Sequence, residues 1–312
     1  MDESTFLVGL LTAICRPYLW LAPGLLVRAP EISGAGTGKG LLIRSISAIA
    51  FGVQPRAFTR GGDRHELDKR LASELIEAAP ILFLDNVNGT MLRSDTLASV
   101  LTERPTRVRM LGRTQMVALN STAFIALTGN GLSVSEDLAR RFIVCELDAR
   151  CEDPEQRKFA SGLLDEIERH RAELLAAALT IWRWGRQNPA DLVHGRPLGS
   201  FEQWGEWCRD PLLALGCRDP IDRIDQIKSD DPYRRQIVEL FEAWDLHHGQ
   251  RPVKAAALAE PVRVSLDPQG HGRQYIAARL KQLAGTRAGG YVLTRQDAGG
   301  KWGAATYLLH RG

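Results

Sequence analysis

The chain lacks what would staple it, anchor it or leave it unfolded. Its five cysteines, Cys15, Cys145, Cys151, Cys208 and Cys217, are odd in number and scattered. No C-x-x-C pair occurs, so neither a disulfide framework nor a zinc site is indicated, and the usage fits a reducing, cytoplasmic setting. The apolar stretch Phe6 to Leu21 follows Asp2 and Glu3 instead of basic residues, and Arg16 and Pro17 interrupt it. It therefore reads as a helix packed on a core, not as a signal peptide or a membrane segment. No low-complexity tract or internal repeat is visible. Net charge is only +3, yet it is uneven: residues 233–312 hold twelve Lys and Arg against six Asp and Glu. A basic C-terminal segment on a slightly acidic body suggests contact with a polyanion. At 312 residues the chain has room for about two domains.

What is present is organised around Ser33-Gly34-Ala35-Gly36-Thr37-Gly38-Lys39-Gly40-Leu41. The apolar run Leu25-Leu26-Val27 before it reads as a strand, and Leu41 to Ile49 after it reads as a helix. A glycine-rich loop in that context is a phosphate loop. Small residues let backbone N–H groups turn onto phosphate oxygens. Lys39 adds a point charge near the β- and γ-phosphates, and the following helix points its positive dipole end at them. Two features depart from G-x-x-x-x-G-K-[ST]. Ser33 stands at the first glycine, and Gly40 replaces the hydroxyl residue that ligates magnesium, a position water can fill.

Further along, Pro55 to Arg60 is expected to hold a second strand. A helix capped by Asp63 and running to about Ala78 follows, with Leu67, Leu71, Leu75 and Ile76 on one face. Ile81-Leu82-Phe83-Leu84-Asp85-Asn86 reads as a buried parallel strand that delivers Asp85, a magnesium-holding carboxylate, to its carboxyl end. Asn86 stands where a water-activating Glu is usual; an amide orients water but cannot take its proton. Glu66 is a candidate substitute base, though it reads more simply as a first-turn acid that favours the helix dipole. Ser94 to Glu103 is expected as a helix. Thr106–Leu111 and Gln115–Leu119 alternate around Gly112-Arg113-Thr114 as a hairpin, with Arg113 at its tip and Arg107 and Arg109 on one face, suited to a phosphate backbone. Thr122 to Asn130 is another buried strand, ending in an amide that can meet a γ-phosphate or the attacking water. Ser135 caps a short helix ending in Arg140 and Arg141, before the strand Phe142–Leu147.

This order of parts resembles AAA+ ATPases, and the hairpin before Asn130 resembles that of superfamily 3 and related hexameric helicases. More narrowly, Ser33–Leu42, Ile81–Asn88, Leu127–Asn130, Asp137–Phe142 and Gly199-Ser200-Phe201-Glu202-Gln203-Trp204 resemble the helicase half of primase-helicases from prophages, plasmids and integrative elements. The resemblance covers about residues 20–230. It implies that Lys39 binds the phosphates of ATP, Asp85 holds Mg2+, Asn130 is the first sensor, and Arg140 or Arg141 is an arginine finger acting in trans. It further implies a homo-oligomeric, hexamer-like ring with Arg113 gripping DNA in its channel. No primase motif is present, so any primase activity belongs to a partner chain or to a preceding part.

Gly162 to Trp184 is expected as one long helix, with Trp182 and Trp184 as packing residues, and Gln187 to Pro232 as a connector. Helices at Tyr233–His248, Val253–Ala259 and His271–Leu283, then strands flanking Gln296–Lys301, match a winged helix. Its third helix carries Arg273, Arg279 and Lys281, and its wing carries Arg295 and Lys301, all placed to meet DNA phosphates. The expected fold class is therefore α/β. An AAA+ P-loop NTPase core at 1–150 precedes a helical lid or connector at 151–232 and a winged-helix DNA-binding domain at 233–312. The expected function is an ATP-dependent DNA helicase or translocase in replication of a mobile element; the alternative is a nucleotide-gated DNA binder or loader with little turnover. A small-molecule kinase is disfavoured by the hairpin and the basic C-terminal segment.

Overall fold

The computed structural model describes residues 2–32, 34–62, 64–89, 91–109, 115–157, 162–225, 232–297 and 305–311. The chain divides into two compact units, 1–228 and 229–312.

The first unit is a mixed α/β structure built on a five-stranded parallel sheet. Its strands are β1 (Gly24–Ala29), β2 (Ala57–Phe58), β3 (Ile81–Leu84), β7 (Phe124–Asn130) and β9 (Phe142–Glu146), in the order β2-β3-β7-β1-β9. Two-residue strands β4 (Met91–Leu92) and β8 (Ser133–Val134) pair beside it. Strands β5 (Thr106–Arg109) and β6 (Met116–Leu119) form an antiparallel pair, Thr106 facing Leu119 and Arg109 facing Met116. Apolar side chains alternate between the faces of the large sheet, as the period of two requires. Leu25, Val27, Phe83 and Ala126 join one core, and Leu26, Leu84, Leu127 and Val144 the other.

The first core is closed by α1 (Asp2–Cys15) and α2 (Lys39–Phe51). The helical segment expected as a separate connector adds Ile167, Ala178, Leu198, Phe201 and Trp204 to that same core. The Trp204 indole donates to Thr12 Oγ1 at 2.8 Å, tying the segment to α1. The second core is closed by α3 (Arg64–Ile76), α4 (Asp95–Thr102) and α5 (Glu136–Ala139). Ser94 caps α4 by accepting from Leu97 N at 3.0 Å, whereas Ser135 makes no side-chain cap to α5. On α3, Leu67, Leu71 and Leu75 are buried but Ile76, expected on the same face, is exposed.

The long helix expected from Gly162 is two, α6 (Leu163–Arg169) and α7 (Arg171–Gln187), broken at His170. Both contact α2, and the break re-aims the buried side: Ile167, Ala178 and Gly185 turn inward, while Leu163, Leu174 and Leu179 are exposed. Trp182 packs against Tyr18 and Trp207.

The second unit holds α8 (Pro232–His248), α9 (Glu260–Leu266) and α10 (Arg273–Leu283) around a four-stranded antiparallel sheet. The sheet orders β10 (Val253–Lys254), β13 (Thr306–Arg311), β12 (Tyr291–Gln296) and β11 (Arg287–Ala288). Ile237, Leu240, Phe241 and Trp244 of α8 are inward as their spacing requires. The second helix lies later than expected. Val253 and Lys254 pair with Tyr307 and Thr306 as a strand, and the helix starts only at Glu260, with Pro261 in its first turn, where a missing N–H costs nothing.

Candidate functional site

The loop leaves β1 at Ala29 and enters α2 at Lys39. Gly38 caps α2 with φ of 96°, a conformation that L side chains rarely adopt. Gly34 is required for closeness: a Cβ there would lie 2.1 Å from Pro30 O and 2.6 Å from Asn130 Oδ1. Lys39 Nζ folds back into the loop and donates to Gly34 O at 2.6 Å and Thr37 Oγ1 at 3.1 Å. Burial presses the Lys39 pKa below the usual lysine value, and the negative charge of Asp85 pulls it partly back. Lysine and aspartate therefore share one site. Ser33 lies outside the described residues; Ala35 and Leu41 are exposed. Open space faces Gly40, where no atom lies within 4 Å of an added Cβ.

Strand register assembles the rest. Leu84 stands level with Leu127, so Asp85 comes level with Thr128, and the buried Thr128 hydroxyl donates to Asp85 Oδ1. The same Thr128 oxygen accepts from Asn86 N at 3.3 Å. Asn86 has φ of 61° and accepts from Asn88 Nδ2 at 2.6 Å, while Asn88 Oδ1 accepts from Asn130 N at 2.7 Å. Ala29 pairs with Asn130, which brings that side chain against Gly34; its Oδ1 is buried with no hydrogen-bond partner. Lys39, Asp85, Asn86 and Asn130 thus gather at the carboxyl ends of parallel strands, where open α/β sheets bind ligands. Glu66 lies on α3 in an exposed ion pair with Lys69 at 2.7 Å, as a first-turn acid does.

Arg140 and Arg141 are not part of this cluster. Arg141 immediately precedes β9, and its carbonyl accepts from Gly24 N at 2.9 Å, the first residue of β1. Both arginines therefore sit at the amino edge of the sheet, a full strand, roughly 15–20 Å, from the loop. Asp137 holds the pair, Arg140 at 2.6 Å and Arg141 through its other oxygen. Arg141 is tucked away with its Nε buried and unpartnered, whereas the Arg140 side chain is 58% exposed.

On the hairpin, Arg107 and Arg109 are exposed on one face; Arg113 lies outside the described residues. In the second unit, the three cations of α10 diverge. Arg273 lines a cavity of about 370 Å³ beside Lys254 and Arg263. Arg279 lies over the Tyr233 ring at 5.1 Å and donates to Gln282 at 3.1 Å. Lys281 is exposed. Arg295 pairs with Asp297, and Lys301 lies outside the described residues.

Sequence reading missed Thr128, a threonine inside an apolar strand whose role appears only through register. It also missed Arg157, which donates to Gly36 O at 3.4 Å and Thr37 O at 3.5 Å, and the grouping of Lys254 and Arg263 with Arg273.

No protein-family model matches the chain, and no curated protein matches it in sequence. Among solved structures, SCCmec type IV Cch, an active helicase, matches at a TM-score of 0.37 and 11% identity, over 98% of this chain. This chain covers 66% of that one, slightly less than two thirds of its length. Likeness at that level fixes no family.

Proposed function

We propose that the first unit binds a nucleoside triphosphate, ATP, through the Gly34–Gly40 loop, as an AAA+, superfamily 3-like ATPase that works on DNA. One observation carries the reading: Lys39, Asp85 and the unpartnered Asn130 oxygen converge on a glycine cradle at the carboxyl edge of a parallel sheet. The residues suit a triphosphate. Lys39 now rests on Gly34 O and Thr37 Oγ1, weak partners that an anion replaces. Asn130 has its polar end toward the loop and unfilled. Asp85, oriented by Thr128, is the carboxylate for Mg2+, with phosphate oxygens and water completing the shell. That ion, when bound, spreads charge from the γ-phosphate.

Arg140 and Arg141 stand too far from their own loop to touch its ligand, which supports action on a neighbouring copy in a head-to-tail ring. The second unit is read as a winged helix, its order being helix, short strand, two helices and a paired-strand sheet. The basic group Lys254, Arg263 and Arg273 is its candidate phosphate contact. In this reading the chain is a DNA helicase or translocase of a mobile element, located in the cytoplasm, and any primase activity is supplied elsewhere.

A second reading, a nucleotide-gated DNA binder with slow turnover, is favoured by Gly40, which offers no hydroxyl, and by Asn86, which cannot accept a proton. DNA-stimulated ATP hydrolysis, measured together with molecular size with and without nucleotide, separates the two. Turnover in an assembled species supports the motor; binding without turnover supports the gate; Lys39→Ala binding ATP as tightly as the parent ends both.

A further inference from the structure

Aromatic side chains gather on the surface of the first unit where α1 ends, away from the cluster at the carboxyl edge. The short turn Arg16–Tyr18 follows α1, and Tyr18 and Trp20 are 69% and 59% exposed. The Tyr18 ring stacks on Trp182 of α7 with centroids 6.0 Å apart, and Trp182 meets Trp207 edge-on at 6.3 Å. Trp20 is placed beside them by its backbone. Its N–H donates to Gln203 Oε1 at 2.8 Å, and Gln203 stands about one helical turn before Trp207, on the same side of one helical segment. Trp207 lies in a π-helical turn, Gly205–Arg209, a widening found often at functional sites. Arg104 lies over the Trp20 ring at 5.4 Å and Arg186 over the Trp207 ring at 4.0 Å. Four rings and two guanidinium groups thus form one strip.

The strip is positively charged. Behind it the buried Arg16 donates to Leu19 O at 3.1 Å and Ser121 O at 3.2 Å, and Arg104 donates to the same Leu19 O at 2.9 Å. Neither guanidinium has a carboxylate partner among the described residues, and burial together with the Arg104 charge lowers the Arg16 pKa to about 10. A buried cation without a counter-charge is costly, so an anion alongside is favourable. The nearby acids are engaged elsewhere. Glu206 pairs with Arg186 at 3.0 Å, Glu202 accepts from Ser200 N at 3.3 Å, and Glu103 lines a cavity with Arg140 and Arg196. Arg104 and Ser121 also flank the β5–β6 pair, each two residues beyond its end, so the strip begins where the basic face of Arg107 and Arg109 stops.

We propose that this strip binds single-stranded DNA: bases stack on the exposed rings of Tyr18 and Trp20, and Arg104 meets a backbone phosphate. The inference rests on the DNA reading of the chain and gives one unpaired strand a place on it. A stacking surface selects unpaired bases because every base has a π-face, which a duplex keeps covered. Rings and arginines alone would suit a protein partner as well. The uncompensated charge of Arg16 and Arg104, and the continuity with Arg107 and Arg109, favour a polyanion. A strand lying along β5 continues from Arg107 past Arg104 onto Trp20.

The test uses the full chain, with melting temperatures to check folding. It reads the fluorescence anisotropy of a labelled oligothymidine, of an abasic strand of equal length and of a duplex. Trp20→Ala and Tyr18→Ala are each expected to weaken oligothymidine binding roughly fivefold or more, as the loss of one stacked base does. Both are expected to bind duplex within about twofold of the parent, since the basic group of the second unit is untouched. Trp20→Phe keeps a ring and recovers most of the loss. The abasic strand is expected to bind the parent about as weakly as oligothymidine binds Trp20→Ala. Arg104→Gln is expected to reduce the slope of log affinity against log salt for oligothymidine by about 0.7, the share of one phosphate on a single strand. Parental oligothymidine affinity in both Trp20→Ala and Tyr18→Ala overturns the proposal, as does an abasic strand bound as tightly as oligothymidine. A parent that binds duplex but not oligothymidine overturns it and leaves the DNA reading intact; a parent that binds neither overturns both. Self-association in sedimentation that Trp20→Ala abolishes, with oligothymidine binding kept, shows a protein interface and overturns the strand site.

Discussion

Lys39, Asp85, Asn86 and Asn130 are brought together at the carboxyl edge, and the proposed chemistry is tested there first. Lys39 is the strongest test, because its charge is half-buried and its neutral partners are easily displaced. A charge-assisted contact is worth about 1.5–3 kcal/mol, so Lys39→Ala is expected to weaken ATP binding roughly ten- to a hundredfold in a titration. Its pH dependence has a definite sign. Burial has lowered the Lys39 pKa below 10.5, with Asp85 opposing. A bound anion favours the protonated form, so affinity holds at neutral pH and falls on the alkaline side, beginning below the ordinary lysine pKa. Asp85→Asn removes the opposing charge, and the fall then begins at lower pH; binding isotherms across alkaline buffers check both. Thr128→Val deletes the hydroxyl that serves Asp85 Oδ1 and Asn86 N. Losing a buried partner costs about 1–3 kcal/mol, read in urea unfolding, with weaker Mg2+-dependent binding beside it. Gly40→Ser restores a hydroxyl where the added Cβ meets nothing within 4 Å. Its expected result is stronger Mg2+ dependence of nucleotide binding with the melting temperature unchanged.

Elements were legible where a pattern was local. The run Ile81–Leu84 is buried at every position, so its four apolar residues sufficed to name a buried parallel strand, and the Asp that follows lies beside Thr128 at its carboxyl end. The glycine loop was legible because φ and closeness leave few residue choices. Gly34→Ala tests that at the element scale. Its Cβ would overlap Pro30 O, so the loop must shift, and ATP affinity is expected to fall at least as far as in Lys39→Ala while far-UV circular dichroism is unchanged. What was not legible depended on partners distant in sequence. The break at His170 responds to packing of α6 and α7 on α2, which no periodicity within residues 162–184 encodes. Val253 and Lys254 carry a helix-like pattern with the alanines that follow, but pairing with Tyr307 and Thr306 claims them for a sheet. Thr128 was invisible for the same reason: its meaning lies in the register between β3 and β7.

At the scale of the whole molecule, the two units divide the proposed work. Residues 229–312 hold the basic group of Lys254, Arg263 and Arg273, and within them residues 233–312 carry twelve basic against six acidic side chains. A chain ending at Lys228 is expected to keep ATP affinity within twofold and to lose most DNA affinity. Arg263→Gln and Arg273→Gln in the full chain should each reduce the slope of log affinity against log salt by about one, the signature of a lost phosphate contact. An unchanged slope in both would move DNA binding elsewhere, to the hairpin face of Arg107 and Arg109. The measurement that bears most directly on the central claim is calorimetric titration of ATP into the parent chain and into Lys39→Ala, with and without Mg2+. Saturable binding by the parent, tightened by Mg2+ and lost in the variant, is the predicted result. Equal binding by both chains, or none by the parent, would contradict it.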